Sequence, residues 1–193
     1  MSGYKLRLIL YCQTETWREV EIPADITFER LHYIIHKLFG FYRSHMWEFR
    51  IVKEIPDSDE YDLNDIERTI GFEEAFDVRV NEVFDKNRVA VYEYDFGDSW
   101  EIVVHNLEAT NYKNKTALLT DYKGKYNPHD DMGGPMVFDE IMEAVRDDEI
   151  DVFEVLDEYG MNERYLASMD FESKFEKGSR IRLNDPIMVF SLR

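Results

Sequence analysis

The stretch Tyr92-Glu93-Tyr94-Asp95-Phe96-Gly97-Asp98-Ser99-Trp100 constrains the fold of this chain more than any other. Aromatic rings alternate with carboxylates up to a Gly-Asp turn. Beyond it Trp100, Ile102 and Val104 alternate with Glu101, Val103 and His105, the period-2 pattern of two strands joined as a hairpin. A two-residue turn at Gly97-Asp98 would set Asp95 opposite Trp100 and Glu93 opposite Ile102, mixing charge and hydrocarbon on one face. A three-residue connection, Gly97-Asp98-Ser99, gathers Tyr92, Tyr94, Phe96, Trp100, Ile102 and Val104 on one face and puts Asp95 across from Glu101. That like-charge pair requires a cation, a proton or solvent.

The flanking sequence supplies the rest of a sheet. Lys5 to Tyr11 and Trp17 to Ile22 alternate around a polar turn and predict an opening hairpin. Thr27 then caps a helix with Leu31, Ile34, Ile35 and Leu38 at helical spacing, and Gly40 supplies its left-handed stop. Trp47 to Val52 reads as a third strand. The order strand, strand, helix, strand predicts an α+β fold, a β-grasp-like mixed sheet with a helix packed on one face, plus C-terminal helices. The acidic segment after Lys53 reads as a long loop with one short helix near Ile66 or Phe72, and Tyr112 to Tyr126 as an irregular, partly basic connection. After the dense turn Asn127 to Pro135, residues Val137, Phe138, Ile141, Met142 and Val145 recur at helical spacing, with Asp130 or Asp131 as its cap. A further helix spans Ile150 to Tyr159, and Arg180 to Leu183 with Ile187 to Leu192 read as late strands.

Size and charge narrow the function classes. At 193 residues and 44% hydrophobic content the whole chain, 1–193, is expected to form one domain. The single cysteine, Cys12, leaves no intrachain disulfide or multi-thiolate zinc site and favours a reducing compartment. No apolar run reaches membrane-spanning length and no signal-peptide pattern opens the chain, so a cytoplasmic protein without membrane contact is expected. A net charge of −18 repels phosphate backbones and disfavours direct nucleic-acid binding. Lysines interleaved with tyrosines over Tyr112 to Lys115 and Tyr122 to Tyr126 resemble a single-strand stacking surface, although solubilising surface explains them as well.

Three groups carry residue types that bind metals or move protons: the Asp95 and Asp98 turn, the Asp130-Asp131-Met132-Gly133-Gly134 turn, and His32, His36 and His45. His32 and His36 stand one helical turn apart, as zinc pairs do, but a hydrogen-bonded core imidazole has the same spacing. Aspartates beside glycine are above all turn and cap residues. Asp95-Phe96-Gly97 lacks the glycine-rich loop and catalytic loop that would make it a kinase triplet. Asp57 and Asp59 lack EF-hand spacing, and Cys12 in a strand has no partner base.

These segments resemble the plasmid pRiA4b ORF-3-like family, which carries a TnpR-type transposon-passenger label and an MM3350-like fold. The resemblance rests on Trp17-Arg18-Glu19-Val20 with Ile22-Pro23-Ala24-Asp25, Leu31-His32 with Phe39-Gly40-Phe41, and Ser44-His45-Met46 with Phe49. Tyr94 to Glu101 and the Pro128 to Gly134 turn complete it. It covers about 4–145 and leaves 146–193 as an extension. The chain departs from the pattern at Ile102, where the family has histidine, and at Pro128-His129-Asp130-Asp131, where it has Pro-Pro-Glu-Asp. The recombinase chemistry of the label needs an activated serine among arginines, which this acidic chain lacks.

The leading expectation is a non-catalytic binding or adaptor domain for a protein or small ligand. Its groove would be formed by Tyr94, Asp95, Asp98, Trp100, Asp131, Gly133 and Gly134. One alternative is a metal-dependent hydrolase or nuclease associated with mobile elements, its divalent ion held by His32, His45, Asp95, Asp98 and Asp131. The other is an acidic decoy that imitates nucleic acid.

Overall fold

The computed structural model describes residues 3–41, 45–55 and 60–183. Eight strands form one sheet: β1 (Gly3–Leu10), β2 (Trp17–Pro23), β3 (Trp47–Val52), β4 (Ile66–Gly71), β5 (Val89–Tyr94), β6 (Trp100–Thr110), β7 (Thr116–Lys123) and β8 (Arg180–Arg182). Their order is β4-β3-β5-β6-β1-β2-β7-β8, and every neighbouring pair runs antiparallel. The helices are α1 (Phe28–Phe39), α2 (Val80–Phe84), α3 (Gly134–Arg146), α4 (Val152–Glu158) and α5 (Glu163–Met169).

The α+β class matches the sequence pattern, but the expected mixed sheet does not. A parallel pair in a β-grasp sheet needs the strand after the helix to dock beside the opening hairpin. Here α1 carries the chain from β2 across the sheet to β3, which pairs with β5, while β1 takes β6 as its second neighbour. Two further strands lie where loops were expected. β4 includes Ile66 and forms the sheet edge beyond β3, and β7 extends the other edge beyond β2 through the segment read as irregular. The predicted strand Ile187 to Leu192 lies outside the described residues.

α1 forms as its sequence dictates. Thr27 accepts a bond from the Arg30 amide, Gly40 closes the helix at φ 75°, and Leu31, Ile34, Ile35 and Leu38 are fully buried against the sheet. On that face they meet Leu6 and Leu8 of β1, Val20 and Ile22 of β2, Phe49 of β3, and Tyr92 and Ile102 of the central hairpin. A smaller cluster of Val52, Val89, Val91 and Val103 covers part of the opposite face, with Leu63 and Ile66 packed on it.

The central hairpin has an odd-numbered loop, but a longer one than expected. Tyr94 pairs with Trp100, Tyr92 with Ile102 and Glu93 with Glu101, so the connection is Asp95 to Ser99. Parity is kept, and Tyr92, Tyr94, Trp100, Ile102 and Val104 all turn into the core. Phe96 falls in the loop instead and is 49% exposed. The like-charge pair therefore moves from Asp95 and Glu101 to Glu93 and Glu101. Arg50 on β3 supplies the cation, 3.3 Å from Glu93 and in a closer ion pair with Glu101. Burial pushes the Glu93 carboxyl up, Arg50 pulls it down and Glu101 raises it again.

A second ion cluster crosses β1 and β2. Lys5 lies 2.9 Å from the Glu19 carboxylate, and Arg7, directly opposite Glu19, donates to it through Nε at 2.9 Å and through Nη2. Burial alone would raise the Glu19 carboxyl, but Lys5 and Arg7 outweigh it and hold the group below its ordinary value. A depressed carboxyl contributes stability that is present above its unfolded pKa and lost as pH falls through the folded one. Glu19→Gln is therefore expected to cost about 1 kcal/mol at pH 7, modest because both cations stay partly in solvent. The difference from the unsubstituted protein, read from urea melts, should shrink as the pH is lowered through the carboxylate range.

Candidate functional site

The tip of the central hairpin is built by backbone geometry that few residues tolerate. Asp95 and Ser99 both sit in the left-handed region, at φ 55° and 53°. The Ser99 amide donates to the Asp95 carbonyl at 2.6 Å, and the Gly97 amide donates to Asp95 Oδ1 at 3.1 Å. The tip then docks on the turn that precedes α3. Asp98 Oδ2 accepts the Gly133 amide at 3.2 Å, and a side chain at Gly134 would bring its Cβ within 2.7 Å of the Asp98 carbonyl oxygen. A carboxylate thus sits at the start of α3, but it comes from the hairpin. Neither Asp130 nor Asp131 caps the helix as expected: Gly133, which has no side chain to cap with, occupies the cap position.

Both aspartates are engaged elsewhere. Tyr94 Oη donates to Asp130 Oδ2 at 3.1 Å, and Asp131, at φ 58°, reaches His45. The His45 ring lies between two carboxylates, with Nδ1 3.4 Å from Asp95 Oδ2 and Nε2 3.2 Å from Asp131 Oδ1. The buried Nε2 is not aligned with Asp131 as a hydrogen bond. Tyr94 stands edge-on to the imidazole, with ring centroids 5.6 Å apart, and fixes its plane. One ligand atom from each of His45, Asp95 and Asp131 lies within 4.8 Å of the others, the one such cluster among the described residues.

Of the five residues expected around a metal, three converge and two do not. Asp98 is spent on the Gly133 amide. His32 is buried on the inner face of α1, where its ring stacks on Trp47 and its Nδ1 shares the Tyr92 hydroxyl, at 2.8 Å, with His36 Nε2, at 2.9 Å. The His32 and His36 pair is therefore a core hydrogen-bond unit. Tyr94 and Trp100, expected to line a ligand groove, are fully buried and could not touch a ligand at the surface. Gly133 and Gly134 serve the close approach of hairpin and turn.

A model of the plasmid pRiA4b ORF-3-like protein family matches residues 3–176. The chain belongs to that family. The pRiA4b ORF-3-like match runs past Val145 and takes in all three C-terminal helices, α3 to α5. A curated relative, Uncharacterized protein y4hQ of Sinorhizobium fredii (strain NBRC 101917 / NGR234), is 30% identical over 145 residues, covering 67% of this chain and 66% of that protein. The chain thus spans just under two thirds of that relative's length. MM3350 of Methanosarcina mazei Go1, a protein of unknown function solved by crystallography, superposes with a TM-score of 0.60. Identity there is 24%, over 77% of this chain and 83% of that one, and shows a shared fold. At the two departures from the pRiA4b ORF-3-like pattern, Ile102 is buried in the core across from Tyr92, and His129 Nδ1 is 2.8 Å from the Asp130 carbonyl oxygen, outside the His45 cluster.

A cleft at the same end of the sheet escaped the sequence reading. It encloses about 1490 Å³ between the turn after β1 and the outer side of α3. Asp139, Glu140, Glu143, Asp147, Asp148 and Glu149 line it against a single cation, Arg146. Two apolar side chains open into the same space, Tyr11 at 59% and Met136 at 77% exposure. Asp139 braces the wall by accepting the Gln13 and Thr14 amides at 2.8 and 2.7 Å. Cys12 also lines the cleft, but burial and the Asp139 charge push its thiol up to about 12, so it stays protonated and unreactive at neutral pH. The sequence signal is the acidic run from Asp139 to Glu158, whose one basic residue is Arg146 and whose composition alone reads as a solvated face. Only the fold shows that a facing turn converts it into one side of a cleft.

The lysines flagged as a single-strand surface are partly neutralised. Lys123 pairs with Glu15, and Lys125 lies 3.8 Å from Asp170. No helix among the described residues is long and apolar enough to cross a membrane.

Proposed function

We propose that this protein is a non-catalytic binding domain that docks a cationic, partly apolar segment of a partner protein in the cleft between the β1–β2 turn and α3. One observation carries the reading: six carboxylates face one arginine around a cleft that also exposes Tyr11 and Met136. A ring of like charge focuses the field inside a concave surface and draws in opposite charge. Exposed apolar side chains at its centre give a docked segment something to bury, the usual composition of an interface core with a charged rim. A net charge of −18 adds long-range attraction for a cationic partner.

The test is a fluorescence-anisotropy titration with an alternating lysine–leucine peptide and its glutamate–leucine counterpart. The lysine peptide should bind, and raising salt until the Debye length falls to about 3 Å should weaken it about tenfold or more. A Glu143→Lys, Asp148→Lys, Glu149→Lys variant should lose binding while keeping its melting temperature, because all three side chains are exposed. Equal affinity for both peptides, or full binding by the variant, would remove the cleft from consideration. The decoy alternative makes a separate demand, namely that DNA compete for the same partner.

A further inference from the structure

The geometry points to a second site, independent of the cleft, that holds one divalent transition-metal ion through His45, Asp95 and Asp131. Its three ligands come from three separate parts of the chain: the segment after α1, the hairpin tip and the turn before α3. Chain connectivity gives no reason for them to meet, yet their ligand atoms lie within 4.8 Å of one another. Zinc binds imidazole nitrogen and carboxylate oxygen at about 2.0–2.2 Å, so ligands arranged tetrahedrally on one ion stand about 3.4 Å apart. The closure required is at most about 1.4 Å, the scale of a side-chain rotation. Asp131, at 77% side-chain exposure, has the freedom to supply it.

The donor set also selects the ion. An imidazole nitrogen with two carboxylate oxygens suits zinc, cobalt or nickel, whereas magnesium and calcium prefer oxygen alone. Two carboxylates and a neutral imidazole balance a dication, and bridging relieves the repulsion between Asp95 and Asp131. One imidazole nitrogen takes the ion, and the edge-on Tyr94 ring, tethered to Asp130, holds the imidazole in place. Three protein ligands leave the remaining positions to water. Because one ligand lies on the hairpin tip and another on the turn before α3, an ion here would tie those two elements together.

Isothermal titration of the full chain with Zn2+, and with Co2+ followed by visible absorption, tests the site. One equivalent should bind, and Co2+ should give the absorption bands of nitrogen and oxygen ligation. His45→Gln and Asp131→Asn should each weaken binding on the order of a hundredfold, since loss of even an outer-shell partner costs ten- to a hundredfold. Asp95→Asn, which tolerates the left-handed backbone, should do the same. The cleft variant Glu143→Lys, Asp148→Lys, Glu149→Lys should bind the metal unchanged, which separates this site from the cleft. Absence of saturable one-to-one binding would overturn the proposal, leaving His45 as an imidazole held between two carboxylates. Binding that survives all three substitutions in variants with native circular dichroism would overturn it as well.

Discussion

Arg18→Ala is expected to destabilise the protein by about 2–5 kcal/mol, the range for truncating a large buried side chain to alanine. Arg18 lies on the core face of β2 and is fully buried. Its guanidinium donates to the Trp17 carbonyl at 2.9 Å, to the Lys123 carbonyl and to Asn127 Oδ1 at 2.8 Å, and lies 3.8 Å over the Phe171 ring. Alanine would orphan those acceptors and leave a cavity beneath Phe171, at the seam where Asn127 bonds Met169 and Phe171 bonds Lys125 through the backbone.

Burial pushes the Arg18 guanidinium down to about 9. A lowered base binds its proton less readily when folded, so stability rises with pH between the folded and unfolded values, and the full desolvation cost is present at pH 7. Arg18→Met, which fills the space without carrying the charge, should therefore lose no more than about 1.5 kcal/mol. Urea melts of both variants check the pair of expectations. If methionine costs as much as alanine, the hydrogen bonds rather than packing hold this seam.

The second large effect belongs to the hairpin. Trp100→Ala should cost about 3–5 kcal/mol, the range for deleting a buried tryptophan. The ring is fully buried, 5.8 Å from Phe41 and edge-on to Phe138 of α3 at 6.4 Å. Its Nε1 has no hydrogen-bond partner among the described residues, so Trp100→Phe removes an unsatisfied donor along with some volume. That variant should lose only about 1–2 kcal/mol by thermal melt. Trp100 also ties β6 to α3, so the alanine variant should loosen the docking of Asp98 on Gly133. Faster hydrogen exchange at the Gly133 amide would report it.

Local periodicity made α1, β3 and the parity of the central hairpin legible, because each buries one face and its register is set by which side chains turn inward. Asp95 to Ser99 was harder. Its length depends on two non-glycine residues in left-handed backbone, which composition does not announce. β4 is hidden because an edge strand buries little: Glu67, Arg68 and Thr69 are all exposed, which reads as loop. β7, paired on both sides by β2 and β8, buries only Ala117 and Leu119. Arg18 defeats the binary pattern in another way, occupying an inward slot between apolar neighbours while Trp17 turns outward.

The site was legible only in its parts. His45, Asp95 and Asp131 are visible as candidate ligands, but only the three-dimensional meeting of three loops separates them from His32 and Asp98, which have the same chemistry and other employment. The acidic cleft needed the fold outright, since its second wall is the turn after β1, more than a hundred residues away in sequence from α3.

The binding reading is tested most directly by amide chemical-shift mapping of the isotope-labelled protein titrated with the lysine–leucine peptide at low salt. Saturable shifts should concentrate at Tyr11, Cys12 and Gln13 and along α3 from Met136 to Asp147, and vanish in the Glu143→Lys, Asp148→Lys, Glu149→Lys variant. Shifts centred elsewhere, or none at peptide excess, would contradict it.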